Sequence, residues 1–200
     1  MATQVTRNGD YTFDDFLALV EEDEKADLLN GVIYMASPES TDHNSLEAWL
    51  VSLMRGYTDD LDLGEVYVSR VAFRITEKQG PEPDVSFVAK RRRRVVHRGF
   101  VGGPPDVAVE IVSPDSVGRD YVEKRQIYEH AGVREYWIID PEERRATLLR
   151  LVRGKFREVE LEGGHIFRSQ VLPGFWLDVR WLWAKRRPPA LQLLQKMLQE

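Results

Sequence analysis

The chain has 200 residues, 42% of them hydrophobic and 30% charged, a composition that suits one globular domain with a sizeable core. It has no cysteine, which excludes disulfides, a thiolate zinc site and a cysteine nucleophile. The net charge of −5 argues against a protein coated in basic residues, and no apolar run approaches the roughly 20 residues that cross a bilayer. We expect a soluble cytoplasmic protein with no membrane partner, one domain over 1–185 and a helical extension over 186–200.

The first part of the chain predicts two helices and a hairpin. It opens with the pattern of a short amphipathic helix. Asn30-Gly31 then separates two apolar runs, 26–29 and 32–36, and this pair tolerates the positive φ angles of a two-residue hairpin turn. A leucine-rich stripe over 41–57 indicates the first long helix.

The rest of the chain combines predicted strands with two helices, and its last quarter is mostly β. A helix over 119–131 ends at Gly132, which suits a left-handed C-terminal cap. In the last segment, Leu191, Leu194 and Leu198 share a helical face, to which we assign packing or dimerisation. The predicted strands are 65–75 (one long bent strand or two short ones), 84–89, 106–112, 134–139 and a meander over 146–152, 156–161 and 166–171.

An acidic residue interrupts one of the most apolar strands. Glu110 lies within VAVEIV (107–112), where an ionised carboxylate is costly unless it is paired or binds a metal. Asp84 opens the preceding strand, and pairing of the two strands at ~5 Å would bring its carboxylate to Glu110. Asp106 lies on the order of 13 Å from Glu110 along the strand, which favours a strand-start or capping role. The carboxylate pair predicts a Mg²⁺ site in which Mn²⁺ can substitute, because such ions accept oxygen ligands.

One short segment is strongly basic. No acidic residue occurs over 89–105, so this segment makes a positive field that the net charge conceals. We weigh two interpretations equally, a solvated loop and a surface that grips a nucleic-acid backbone. The basic residues are Lys90, Arg91, Arg92, Arg93 and Arg94.

The two acids resemble the PD-(D/E)xK nuclease superfamily, whose core places an Asp at one strand start and Glu-x-Lys on the next strand. Asp84 and Glu110 match that pattern, and Val112 stands where it has lysine. Over residues 13–183 the chain is similar to the Uma2 (DUF820) family of restriction-endonuclease-like proteins. The segments that carry this resemblance are LLNG after Asp27, PEPDVSFV, VEIVSPDS, EKRQIYEHAGVREYWIIDP and LPGFWLDV.

The Uma2 resemblance implies a complete site. In that family the lysine lies on the following helix, which here makes Lys124 the amine, with Asp120 and Tyr128 four residues to either side as accessory residues. It also implies an acid in the N-terminal hairpin, here Asp27, as a possible third metal ligand. His43 matches a family histidine that could contact phosphate or orient Asp27. For each there is a structural alternative: a surface ion pair of Asp120 with Lys124, a solvent-facing Asp27 and a structural His43.

The implied fold is α/β (α+β), a restriction-endonuclease-like core with a mixed sheet flanked by helices, an N-terminal hairpin and a C-terminal β-meander. The implied activity is Mg²⁺-dependent cleavage of nucleic acid, with DNA as the expected substrate and a homodimer as a possible assembly. Val112 motivates an alternative, a catalytically inactive nucleic-acid-binding or assembly protein on the same scaffold. A glycosidase ranks third, because Lys124 would then have no role.

Overall fold

A computed structural model describes residues 6–7, 9–21 and 23–199. In chain order its helices and strands are β1 (Thr6–Arg7), α1 (Phe13–Leu19), β2 (Ala26–Leu29), β3 (Val32–Met35), α2 (Thr41–Asp60), β4 (Gly64–Val68), β5 (Ala72–Arg74), β6 (Val85–Ala89), β7 (Phe100–Gly102), β8 (Val107–Ile111), α3 (Lys124–Ala131), β9 (Glu135–Asp140), β10 (Arg145–Val152), β11 (Lys155–Glu158), β12 (Ile166–Arg168), β13 (Trp176–Asp178) and α4 (Ala190–Met197). Short 3₁₀ helices span Lys90–Val95 and Val179–Trp183, and a π-helical turn over Arg119–Glu123 leads into α3.

A six-stranded mixed sheet in the order β11-β10-β9-β8-β6-β4 organises the fold. β8 and β9 are parallel and joined through α3, while the other neighbouring pairs are antiparallel. Every residue of β6, β8 and β9 is buried, because layers cover both faces of the sheet. Such strands read as continuous apolar runs, which is why the alternation of exposed and buried residues is lost there. The mixed sheet flanked by helices confirms the predicted fold class.

The two faces of the sheet carry separate cores. On one face, Val109 and Trp137 pack with α2 and with the aromatic residues of the C-terminal part. On the other face, Ala108 and Tyr136 of the sheet pack against Tyr128 of α3. Since side chains alternate along a strand, Glu110 shares the second face with Ala108 and points toward α3. This alternation decides which helix can complete the site.

The N-terminal hairpin forms a small sheet of its own, in the order β1-β3-β2. Its turn residues Asn30 and Gly31 have φ angles of 51° and 80°, as predicted for a two-residue turn. Phe13 and Phe16 of α1 cover its apolar face. The hairpin is tied to the chain just before β6, because Leu28 and Gly80 exchange backbone hydrogen bonds of 3.1 and 2.8 Å.

The structure selects one of the two alternatives predicted for 65–75, and two other predicted elements differ from it. The run 65–75 is two short strands, since Arg70 turns the chain with a φ of 68° and β5 leaves the sheet to pair with β7. The predicted helix over 119–131 begins with a π-helical turn. Only β10 and β11 of the predicted meander belong to the central sheet, because β12 pairs with β13 instead.

The predicted face of the C-terminal helix packs only in part, because Leu194 packs against the core while Leu191 and Leu198 are exposed. Leu193 and Met197 are the buried residues of α4, while Leu191 is 67% exposed. α4 packs on α2 at Gly56, where a Cβ would lie 2.5 Å from Leu194 Cδ1. The segment therefore packs on its own domain, whereas the predicted dimer and the boundary at 185 stay predictions. No helix in the described residues is long and apolar enough to cross a membrane.

Candidate active site

Asp84 and Glu110 lie opposite each other on neighbouring strands. The β6–β8 register pairs Val85 with Val109, so the next position along places Asp84 against Glu110. Asp84 Oδ2 accepts the backbone N–H of Ile111 at 2.6 Å, which orients the carboxylate toward β8. Both acids are buried, at 3% and 2% exposure. The predicted pairing of the two strands is confirmed.

Helix α3 delivers an ammonium and a hydroxyl to Glu110. Lys124 Nζ donates to Glu110 Oε2 at 2.9 Å, and the Tyr128 hydroxyl donates to Oε1 at 2.9 Å. The two residues are four apart and so share a helix face, as the sequence predicted. Val112, which stands where the PD-(D/E)xK pattern has lysine, is buried on the same side of the strand as Glu110. The amine that contacts Glu110 comes from helix α3, as the side chain of Lys124.

The hairpin contributes the third acid. Asp27 Oδ2 lies 2.9 Å from Lys124 Nζ, and its Oδ1 accepts the Glu82 backbone N–H at 2.9 Å. The Glu82 carboxylate in turn accepts a hydrogen bond from the Ala26 backbone N–H at 3.2 Å. Burial raises the pKa of the Glu82 carboxyl to about 8, and the nearby Asp27 adds to the rise. Asp27 is therefore buried at the site, which excludes the solvent-facing alternative.

Lys25 and His43 flank Asp84. Lys25 Nζ contacts Oδ1, and His43 Nε2 lies 3.7 Å from the same oxygen. Burial by itself would raise the pKa of Asp84, but Lys25 and His43 outweigh it and hold this pKa below its ordinary value. Asp84 is thus an ionised carboxylate in the folded protein.

Asp120 completes the cluster beneath Lys124. Its Oδ2 accepts a hydrogen bond from the Ser116 hydroxyl, and its Oδ1 lies 3.7 Å from Lys124 Nζ. Burial raises the pKa of Asp120 to about 6, opposed by Lys124. The pair is buried, so the alternative of an exposed i,i+4 ion pair does not apply.

Burial and the carboxylates act in opposite directions on Lys124. Burial favours the neutral amine, but Asp27, Glu110 and Asp120 raise the pKa of Lys124 well above its ordinary value. Burial also raises the pKa of Glu110, an effect that Lys124 opposes and that Asp120 and Asp84 reinforce. The surrounding carboxylates therefore favour the charged form of Lys124.

The charges of this cluster suit a divalent cation. Among the described residues it contains four acids, Asp27, Asp84, Glu110 and Asp120, and the two ammonium groups of Lys25 and Lys124. If all were ionised, two negative charges would remain uncompensated. Buried uncompensated charge is costly. In addition, none of the residues that the structure describes donates a hydrogen bond to the buried Asp120 Oδ1. Oxygen donors with an excess charge of −2 fit Mg²⁺ or Mn²⁺.

The cluster opens to solvent through a cleft of about 590 Å³. Asp84, Glu110 and Lys124 form part of its floor, and Arg119 and Arg144 lie along its walls. The walls also carry the acidic residues Glu39, Asp42, Asp115 and Glu142, so the two arginines offer an anionic substrate local contacts and not a uniformly positive lining.

The basic segment lies elsewhere. It forms the 3₁₀ helix Lys90–Val95 that follows β6, while Asp84 precedes that strand, so strand length separates them by roughly 17 Å. Several of its members contact acids: Lys90 contacts Asp62, Arg93 Nη2 lies 3.9 Å from Glu65 Oε1, and Arg92 Nη1 lies 3.1 Å from Asp106 Oδ2. Arg91 also approaches Asp106, at 3.4 Å, and Arg94 is exposed.

Asp106 anchors this segment, in agreement with its predicted strand-start role. Its Oδ2 also accepts the Ala89 N–H at 2.9 Å, and it is buried. The basic segment is therefore attached to the sheet, and the structure does not bring it to the carboxylate pair. Its contact with nucleic acid stays a prediction.

Sequence reasoning missed three polar members of the site. Lys25 contacts Asp84, Glu82 supports Asp27, and Ser116 donates to Asp120. Ser116 lies four residues before Asp120, a spacing that could have indicated it. Lys25 and Glu82 have no such local signal, because their partners lie 59 and 55 residues away in the chain.

Comparison with known proteins agrees with the geometry. The family model Uma2, described as "Putative restriction endonuclease", matches residues 13–180. A solved structure described as a "putative nuclease belonging to DUF820 from Anabaena variabilis ATCC 29413" has a TM-score of 0.72 and 18% identity, covering 86% of this chain and 97% of that chain. At this identity the likeness concerns the fold. No curated protein sequence matches. The chain belongs to the Uma2 family.

Proposed function

We propose that this chain is a metal-dependent endonuclease that hydrolyses phosphodiester bonds in DNA. One observation carries the proposal: Asp84 and Glu110 face each other across two strands, and Lys124 Nζ lies 2.9 Å from Glu110 Oε2. Two converging carboxylates beside an ammonium group are suited to a phosphate group and its developing negative charge. The family description supports a nuclease.

Asp84 and Glu110 would hold the ion, with Asp27 as a further ligand. All three are oxygen donors, as Mg²⁺ requires, and Mn²⁺ accepts the same set. When bound, such an ion polarises a phosphoryl oxygen and lowers the pKa of a bound water.

Lys124 would act by its charge. Neighbouring carboxylates raise its pKa and so favour the ammonium form, which suits an electrostatic role better than that of a general base. A fixed ammonium can orient an attacking water and stabilise negative charge on the phosphoryl oxygens.

The accessory residues would act as positioning groups. Tyr128 donates to Glu110 Oε1 at 2.9 Å and so fixes the rotamer of that carboxylate. His43 Nε2 lies 3.7 Å from Asp84 Oδ1, and Asp120 Oδ1 lies 3.7 Å from Lys124 Nζ. Each thus restricts the movement of a group that would touch metal or phosphate.

The basic segment over 90–94 would contact the phosphate backbone away from the cleavage point. Its distance from Asp84, roughly 17 Å, is shorter than one turn of duplex, about 34 Å. Contacts of this kind supply affinity that falls with salt and carry little sequence information.

The alternative is a catalytically inactive nucleic-acid-binding or assembly protein. One observation favours it, namely that Lys124 Nζ lies 2.9 Å from both Asp27 and Glu110 and so already neutralises part of the cluster. In that case the buried charges would serve structure alone.

Plasmid and oligonucleotide cleavage separates the two functions. Purified protein is incubated with DNA or RNA in Mg²⁺, Mn²⁺ or EDTA, and compared with Asp84→Asn, Glu110→Gln and Lys124→Met. Glu142→Gln is the matched control, because this exposed residue lines the same cleft without contacting the cluster. We expect metal-dependent cutting that only the three site variants lose, with circular dichroism confirming their fold. Salt-sensitive binding without cutting would establish the alternative.

A further inference from the structure

The ammonium of Lys25 lies against the oxygen that Asp84 can offer to a metal ion. Asp84 Oδ2 accepts the backbone N–H of Ile111 at 2.6 Å, whereas Oδ1 contacts Lys25 Nζ. Lys25 and Asp84 also line the same cleft. An ion bound to Asp84 from this cleft would therefore meet a positive charge already in place on Oδ1.

The N-terminal hairpin positions Lys25 for this contact. Lys25 immediately precedes β2, and its carbonyl accepts the Ala36 backbone N–H at 2.8 Å, which holds its backbone in the hairpin. Residues two apart along an extended chain point to the same side, so Lys25 and Asp27 are both directed toward the carboxylate cluster. The hairpin thus supplies one acid and one amine to the same site.

Lys25 is charged in this position. Its side chain is only 16% exposed, and burial by itself would lower its pKa, but the contact with Asp84 more than offsets burial and raises this pKa above its ordinary value. A buried ammonium is costly when it has no partner. Lys25 therefore needs an acidic partner both in the metal-free protein and after an ion has bound.

Glu39 offers Lys25 a second partner. Glu39 Oε1 lies 3.9 Å from Lys25 Nζ. Both residues lie on the wall that the active-site cleft shares with a neighbouring cleft of about 750 Å³. Because a lysine ammonium is carried on a flexible four-carbon stem, it can move from Asp84 to Glu39 while the hairpin backbone stays in place.

The charges of the cluster favour such a movement over the loss of either cation. With both lysines charged, the four acids of the cluster leave an excess charge of −2, which one divalent ion would neutralise. Two cations that share one carboxylate oxygen nevertheless repel each other. Lys25 can therefore remain at the site, but not in its contact with Asp84 Oδ1.

We propose that Lys25 sets the metal affinity of the active site: its ammonium holds Asp84 in the metal-free protein and moves to Glu39 when an ion binds. This inference rests on the proposed function, which places a divalent ion at Asp84 and Glu110. Lys25 is here a positioning residue that acts through Asp84. It stabilises the metal-free site relative to the loaded one, and so lowers the affinity for the ion.

Metal binding by the full chain tests this role. Mn²⁺ affinity is measured by calorimetry and, independently, from the electron paramagnetic resonance signal of free Mn²⁺. Lys25→Met keeps an unbranched side chain and removes the charge. We expect it to tighten Mn²⁺ binding at least about fivefold, because two unit charges about 4 Å apart in water already interact by an energy that corresponds to this factor. A lysine that served structure alone would leave the affinity unchanged or reduce it.

Lys78→Met is the matched control. Lys78 also pairs with an acid, Asp10, but both side chains are exposed and lie outside the linings of the two clefts. This variant changes the net charge equally and should leave Mn²⁺ affinity within about twofold. If Lys25→Met does not fold, as judged by circular dichroism, Lys25→Gln replaces it. Its neutral amide can donate to Asp84, and the same tightening is expected.

A double-mutant cycle tests the second position of the ammonium. Glu39→Gln removes the partner of the displaced Lys25 and should weaken Mn²⁺ binding. If Glu39 acts through Lys25, this weakening should be smaller in the Lys25→Met protein by a factor above about 2, the limit for independent sites. Equal weakening in both proteins would show that Glu39 acts by its charge alone, and would overturn the proposed movement.

Two further results would overturn the role of Lys25. One is Mn²⁺ binding in the Lys25 variants that is no tighter than in the unmodified protein, and the other is equal tightening by Lys78→Met. DNA cleavage by the same preparations tests the proposed function separately. A chain that cuts DNA without an affinity change in Lys25→Met would lose only this inference, whereas tighter Mn²⁺ binding in a chain that does not cut would support it without the nuclease.

Discussion

Asp84 Oδ2 accepts the backbone N–H of Ile111 at 2.6 Å, so the carboxylate that opens β6 is bonded to the strand that carries Glu110. The two acids of the pair are nevertheless in opposite electrostatic states. Lys25 and His43 lower the pKa of Asp84, whereas burial raises the pKa of Glu110. The fold therefore favours the ionised form of Asp84 and disfavours the ionised form of Glu110.

We predict opposite effects on stability from removing these acids. Asp84→Ala leaves the Lys25 ammonium and the Ile111 N–H without their partner, and should lower the free energy of unfolding by about 3–5 kcal/mol. Glu110→Gln removes a charge that the neighbouring acids repel. Its amide oxygen can accept from Lys124 and its amide N–H can donate to the Tyr128 hydroxyl oxygen, so it should be neutral or stabilising without metal. Urea unfolding in EDTA measures both. Equal destabilisation by the two variants would contradict the charge assignment.

The pH dependence of stability should report on Glu82. Its pKa is raised from 4.5 to about 8 by burial, so the folded state binds a proton more tightly than the unfolded state. The resulting stability is complete below the unfolded pKa and is lost as the pH rises through about 8. Between pH 4.5 and about 8, the slope of the free energy of unfolding against pH should approach about −1.4 kcal/mol per pH unit. Glu82→Gln should flatten the slope of metal-free protein, and an unaltered slope would refute the assignment.

Tyr128→Phe should slow cleavage while leaving the fold intact. The ring stays in edge contact with Tyr136 at a centroid distance of 4.9 Å, and only the hydrogen bond to Glu110 is removed. We expect a loss of about 10- to 100-fold in kcat, typical of residues that orient a metal ligand. Single-turnover cleavage and a thermal melt are the measurements. A parallel collapse of the melting temperature would indicate a purely structural tyrosine.

The basic segment should contribute to DNA affinity through its outer members. Arg93→Ser with Arg94→Ser should weaken binding to all sequences and lower the salt slope by up to about 0.9 for each phosphate that these arginines neutralise. Arg157→Ser, at an exposed position of β11, is the matched control. Fluorescence anisotropy at several salt concentrations measures the slope. Unchanged affinity would remove this segment from the nucleic-acid surface.

Arg92 is left out of that pair because it also has a structural role. Its guanidinium lies 3.1 Å from Asp106 and donates to the Pro104 carbonyl at 2.7 Å. Removing these bonds would mix a folding defect with a binding defect.

The sequence predicted the elements whose signals are local. The Asn30-Gly31 turn follows from the positive φ angles that only a few residues tolerate, and the Glu110 strand follows from its apolar run. The spacing of Lys124 and Tyr128 predicted one helix face, which the contacts with Glu110 confirm. Local preference was insufficient where a longer-range partner decided, as when β5 left the run 65–75 to pair with β7.

By itself, then, the sequence indicated the carboxylate pair and the shared helix face of Lys124 and Tyr128, because strand pattern and i,i+4 spacing are properties of neighbouring residues, while its resemblance to the Uma2 family implied the fold class and the role of Lys124. Only the tertiary structure placed Lys25 and His43 beside Asp84 and separated the basic segment from the cleft. It also decided that Leu193 and Met197, rather than Leu191, are buried in α4. These arrangements depend on which surfaces meet when the sheet, hairpin and helices pack. Contacts between residues that are far apart in the chain leave no local pattern in the sequence from which they could be predicted.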